Sequence, residues 1–128
     1  MPRTTVNDLL ARARERFVRL TPGEARAAVR EGALLVDIRS EIQRATDGVV
    51  PQAVFVPRNV LEWRLDPDSG AANPTVARPE ARVILMCHDG CQSSLAVVTL
   101  QELGFAGATD VIGGFQAWKA AGLPVTSQ

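Results

Sequence analysis

A chain of 128 residues is long enough for one compact domain with a buried core and too short for two. Its 14 Lys and Arg balance 14 Asp and Glu, so no net field favours nucleic acid or an anionic membrane as a partner. Hydrophobic residues at 46% and two cysteines describe an ordinary globular composition, without a disulfide scaffold or an apolar run near the ~20 residues that span a bilayer.

In chain order, Val6, Leu9, Leu10, Ala13 and Phe17 recur at helical spacing, and Thr5 with Asp8 has the form of a capping box. They predict an amphipathic helix over residues 6–16, its apolar stripe packed on the domain. Charges at Asp8, Arg12, Arg14, Glu15 and Arg16 interrupt any secretory signal, so a cytoplasmic location is expected. Val18 to Leu20 reads as a short edge strand. Thr21, Pro22 and Glu24 start a second helix, which stops at Gly32. Ala33 to Ile38 is an apolar run broken only by Asp37, as in a parallel strand covered on both faces. Ser40 caps a short helix ending near Gly48, and Val54 to Val56 is a third strand closed by Pro57. Asn59 with Glu62 caps a helix containing Trp63, and residues 66–80 form a loop rich in turn residues. Arg82 to Met86 is the next strand. Ser93 to Leu103 is a helix with Leu95, Val98 and Leu103 inward. Thr109 to Ile112 is the last strand, and Gly113-Gly114 leads into a helix holding Phe115 and Trp118, both expected in the core. Strands alternating with helices predict a parallel α/β sheet covered on both faces, with ligands beyond the carboxyl ends of its strands.

The segment that carries chemistry follows Met86: Cys87, His88, Asp89, Gly90, Cys91, Gln92 and Ser93. A cysteine at a strand end, with a helix beginning about six residues later, can face a loop whose N–H groups turn inward as an anion cradle. Such a cradle favours a reactive thiolate. Gly90 lets the loop curl, and Ser93 or Ser94 is expected to cap the helix. An isolated strand-end cysteine is otherwise a small buried hydrophobe.

These residues resemble the rhodanese superfamily. The landmarks are Leu35-Val36-Asp37-Ile38-Arg39, the Cys87 loop, Gly104-Phe105, and the stretch Gly113-Gly114-Phe115-Gln116-Ala117-Trp118 running on to Pro124-Val125. The resemblance implies a three-layer α/β/α domain with a five-stranded parallel sheet, occupying residues 18–128 behind an N-terminal helix at 1–17. It implies a sulfurtransferase in which Cys87 takes a sulfane sulfur from a donor such as thiosulfate and passes it to cyanide, a small thiol or a protein thiol. No cofactor, metal, nucleic acid or membrane is implied, and a monomer is expected.

This chain departs from the family in two places. Gly48-Val49-Val50-Pro51-Gln52-Ala53 keeps only the spacing of a common Gly-His-Ile-Pro-Gly-Ala stretch. Gln92 stands where many active members carry Arg, so it brings no fixed charge to an anionic donor. Arg39 and Arg58 are the nearest positive candidates; Arg39 reads equally as a structural partner for an Asp, and Arg58 as a surface residue. Asp37 reads as a loop-fixing residue or a pocket residue. His88, the single histidine, is open to three readings: tuning the thiolate, touching substrate, or pointing to solvent. Cys91 is open to three roles: accepting sulfur from Cys87, pairing with it on oxidation, or packing. Two other classes compete. Phosphatases of similar architecture need Arg at the sixth position after the cysteine, which here is Ser93. A non-catalytic or redox-sensing binding module is the second.

Overall fold

The computed structural model describes residues 2–128. Its elements are α1 (Val6–Arg14), α2 (Pro22–Arg30), β1 (Leu34–Asp37), α3 (Glu41–Asp47), β2 (Val54–Phe55), a 3-10 turn (Arg58–Val60), α4 (Leu61–Leu65), β3 (Val83–Met86), α5 (Gln92–Glu102), β4 (Thr109–Asp110) and α6 (Gly114–Ala120). The sheet is parallel with order β2-β1-β3-β4. Val83 and Leu85 of β3, with Val36 of β1, face one core cluster beside α4 and α5. Ile84, Met86 and Leu35 face the other, with Ala25 and Ala28 of α2 and Phe115 and Trp118 of α6. The period-two alternation hidden in a continuous apolar run thus feeds two cores, which makes three layers.

Among the described residues four strands form where five were expected. The missing edge strand is reduced to a bridge between Leu20 and Val111. Leu20 N–H donates to Asp110 O at 3.1 Å, and Ile112 N–H donates to Leu20 O at 2.8 Å. The pairing cannot continue, because Thr21 is already the cap of α2 and Pro22 has no N–H. Capping boxes start α1 from Thr5 and Asp8, α2 from Thr21 and Glu24, and α3 from Ser40 and Gln43.

The sequence reading fails at two helices. Asn59 does not cap: the 3-10 turn runs into α4 without a side-chain cap, and Glu62 instead accepts from Arg58 Nη1 at 3.0 Å. On α5 the buried residues are Ser93, Ser94, Ala96, Val97 and Leu100; Leu103, just past its end, packs against the first core cluster as expected, whereas Leu95 and Val98 are only half-buried. Leu95 and Val98 lie in a groove with Leu9 and Ala13 of α1. Because α1 covers its outer side, α5 is apolar around most of its circumference, and periodicity alone selects no face. Ala13 of α1 is buried there, while Val6 and Leu9 stay exposed. None of the described helices is long and apolar enough to cross a membrane.

Candidate functional site

Cys87 continues the register of β3, one residue past its end, on the α5 face of the sheet. The residue is 3% exposed. Its Sγ accepts the N–H of Gly90 at 3.1 Å and of Ser93 at 3.3 Å, the latter from the first turn of α5. The loop takes this shape because its carbonyls are anchored outward. Phe115 N–H donates to Cys87 O at 2.8 Å, and Gln116 N–H donates to His88 O at 3.1 Å. Both donors are orphan amides of the first turn of α6, which the helix cannot satisfy itself. That docking requires Gly114: a Cβ there would strike Cys87 O and lie 2.8 Å from Gly90 N and 2.9 Å from Asp89 N. Gly90, at φ +86°, is equally enclosed, with Gly113 N 2.7 Å from where its Cβ would be.

The third anchored carbonyl is that of Gly90. It accepts from Arg14 Nη2 at 2.9 Å and Arg19 Nη2 at 2.8 Å, with Ser94 Oγ 3.3 Å away. Beneath it Asp110, wholly buried at the end of β4, accepts from Arg19 Nε at 2.8 Å and from the hydroxyls of Ser93 and Ser94, both at 2.7 Å. Burial of a carboxylate demands this many donors. Ser93 Oγ also lies 3.3 Å from Cys87 Sγ. A hydroxyl has one hydrogen, and here it goes to Asp110, so Ser93 offers the sulfur a lone pair that suits a protonated thiol. Towards an anionic sulfur the hydroxyl must turn, leaving Asp110 with Ser94 and Arg19. Neither Ser93 nor Ser94 caps α5; Cys91 occupies the cap position without a side-chain hydrogen bond. Competition from Asp110 explains the difference.

The side chains of Asp89, Cys91 and Gln92 face outward. Asp89 is exposed, accepts Cys91 N–H at 3.1 Å on Oδ1, and places that oxygen 4.0 Å from Cys87 Sγ. Cys91 and Gln92 are exposed, and both cysteines are free thiols. His88 is half-buried, its Nδ1 3.9 Å from Asp47 Oδ2 and without a hydrogen-bond partner among the described residues. It borders a cleft of about 320 Å³ with Asp47, Phe115, Gln116 and Lys119.

Asp37 and Arg39 lie apart from the loop's hydrogen bonds. Arg39 donates through Nε and Nη2 to the two oxygens of Asp37, at 3.0 and 2.8 Å, and from Nη2 to Gly48 O at 2.9 Å. Arg44 Nε reaches the same carboxylate at 3.2 Å. The Arg39 guanidinium lies 3.7 Å from the centre of the Phe115 ring. The pair therefore joins β1, the end of α3 and the start of α6. Arg58 is engaged by Glu62. Sequence reasoning missed Arg14, Arg19 and Asp110. Asp110 had a usable signal, a lone charge at the end of an apolar strand, as at Asp37. Among the described residues no cluster of His, Cys, Asp or Glu converges as a metal site.

The family model for the rhodanese-like domain matches residues 21–121. The thiosulfate sulfurtransferase GlpE of Haemophilus influenzae (strain PittEE) is 29% identical over 109 residues, covering 85% of this chain and 94% of that protein. GlpE of Pseudomonas savastanoi pv. phaseolicola is 32% identical over 104 residues, 81% of this chain and 89% of that one. Among solved structures, a protein of unknown function from Rhodopseudomonas palustris CGA009, described as a possible tyrosine phosphatase, superposes with a TM-score of 0.87 at 31% identity, covering 98% of this chain and 99% of its own.

Proposed function

The chain belongs to the rhodanese-like domain family, and from that premise we propose that it is a sulfurtransferase in which Cys87 carries a sulfane sulfur as a persulfide. The Cys87 thiolate attacks the outer sulfur of a donor such as thiosulfate, the donor's S–S bond breaks, and sulfite leaves with the electron pair. An acceptor, cyanide or a thiol, small or on a protein, then attacks the outer sulfur of the persulfide and returns Cys87 as a thiolate. The observation that carries this reading is the pair of N–H groups, Gly90 and Ser93, directed at a sulfur that ends a strand. Backbone donors fixed in place stabilise negative charge on sulfur without reorganising during the reaction. Asp37 and Arg39 support the site by holding the loop after β1, and His88, Asp89, Cys91 and Gln92 form the rim that meets donor and acceptor. The reaction belongs in a reducing compartment, the cytoplasm, where Cys87 and Cys91 stay free, and it needs one copy of the chain and no cofactor.

Mass spectrometry of the protein after thiosulfate treatment tests this. One added sulfur atom on Cys87, discharged by cyanide, is expected; an unmodified Cys87 rejects the carrier role. The exposed Cys91 on the same loop favours one second reading, a redox-sensing module. Formation of a Cys87–Cys91 disulfide under mild oxidation, without sulfur loading, is its signature. Phosphatase chemistry is disfavoured, because Ser93 fills the position of the required arginine and is directed at Asp110.

A further inference from the structure

Arg14 and Arg19 both precede the segment that matches the family, which begins at residue 21. Both reach across to the same atom of the cysteine loop, Gly90 O. A buried carbonyl is satisfied by one or two donors, and here both donors are guanidinium groups brought from outside the matched segment. The N–H of the same residue is the one that donates to Cys87 Sγ at 3.1 Å. Fixing the carbonyl outward therefore helps fix the amide inward. The charges differ in kind. Arg19 is neutralised by Asp110 at 2.8 Å. Arg14 contacts only Ser94 Oγ and Gly90 O, and no carboxylate pairs with it among the described residues. One uncompensated cation thus stands behind a loop whose rim holds Asp89 and the uncharged Gln92.

We propose that Arg14 and Arg19 are positioning residues for the sulfur-carrying loop, and that Arg14 supplies from behind it the positive charge that favours an anionic sulfur donor. The proposal rests on the reading that Cys87 carries sulfur. It makes the last turn of α1 part of the catalytic apparatus, not only a cover for α5.

The test compares alkylation of Cys87 by anionic iodoacetate and by neutral iodoacetamide in a Cys91→Ser background. Both reagents consume the same thiolate, so the ratio of their rates reports the local potential and is insensitive to a merely structural loss. Arg14→Ala is expected to lower the ratio by about threefold, as for one partly screened charge within a Debye length. Arg14→Lys should keep the ratio near the parent value, and Arg12→Ala, an exposed charge of the same helix in the groove beside Leu95 and Val98, should not move it. Arg14→Gln carries the same test if the alanine variant does not fold. In steady state Arg14→Ala should raise the Michaelis constant for thiosulfate more than it lowers kcat. An unchanged ratio in a folded Arg14→Ala or Arg14→Gln protein overturns the proposal. An equal slowing of both reagents overturns the charge role and leaves Arg14 a positioning residue alone. A lowered ratio in a protein that never loads sulfur would keep the charge assignment and remove the sulfurtransferase reading.

Discussion

Replacing Gly114 by alanine should detach α6 from the cysteine loop. The new Cβ would meet three backbone atoms, Cys87 O, Gly90 N at 2.8 Å and Asp89 N at 2.9 Å, none of which can swing aside as a side-chain tip could. The residue also has φ +60°, a conformation that costs a residue with a Cβ about 1–2 kcal/mol. Relief of the clash requires α6 to retreat, which breaks the bonds from Phe115 N–H to Cys87 O and from Gln116 N–H to His88 O. Their loss adds about 0.5–1.5 kcal/mol each. Together these give a destabilisation of about 2–5 kcal/mol, large against the ~5–15 kcal/mol of a typical domain. Gly122 is the matched control: it has φ +74° and nothing within 4 Å of where its Cβ would lie. Gly122→Ala should therefore show the conformational cost alone. Urea denaturation of both variants, with sulfur loading of Cys87 measured on the same samples, separates the terms. Equal destabilisation of the two, or normal loading in Gly114→Ala, would mean that α6 does not shape the loop.

Asp110→Asn leaves Arg19 without its buried partner and should cost about 2–4 kcal/mol in denaturant titration; an unchanged midpoint would show that the ion pair contributes nothing net. Gln92→Arg places a cation at an exposed rim position, so thiosulfate should bind about twofold to fivefold better, the range of a solvated ion pair, as read from the Michaelis constant. Deleting residues 1–16 should lower both the melting temperature and the rate of sulfur loading, because it removes the cover of α5 together with Arg14. The carboxyls of Asp8 and Glu24 are held below the ordinary carboxylate range by the backbone N–H and then the hydroxyl of Thr5 and Thr21. A lowered folded-state value means that the stability they contribute is present above that range and lost as pH falls through it. The melting-temperature gap between the parent and an Asp8→Asn, Glu24→Gln double variant should therefore be open near pH ~6 and close near pH ~3.

The fold was legible where local chemistry and burial agree. Val83 to Met86 and Leu34 to Asp37 announce covered parallel strands by composition, and Thr5, Thr21 and Ser40 announce helix starts by capping chemistry. The edge strand was over-read because Val18 to Leu20 has strand-like residues, and nothing local shows that only Leu20 finds a partner. Leu103 was placed inward correctly, but Leu95 and Val98 were not, because leucines and valines surround α5 and the choice of face is made by α1 and β3. At the site, the position of Cys87 follows from the strand-loop-helix pattern. The contacts that shape its loop do not, since Arg14 and Gly90 are 76 residues apart and Arg19 and Asp110 are 91 apart. Such pairs carry no local pattern. Only a lone charge in an apolar strand, as at Asp110, hints that a distant partner exists.

The loop's outward anchors are all main-chain oxygens: those of Cys87, His88 and Gly90. Every peptide offers such an oxygen whatever its side chain. Positions 88, 91 and 92 are thus relieved of structural duty, and the architecture separates a fixed reaction centre from an interchangeable rim. A saturation library at these three positions should consequently yield mostly folded proteins with divergent donor preferences. The same library at Gly90, Gly114 or Asp110 should yield mostly destabilised ones. The scaffold is in this sense a ready cassette for retuning selectivity by substitution alone.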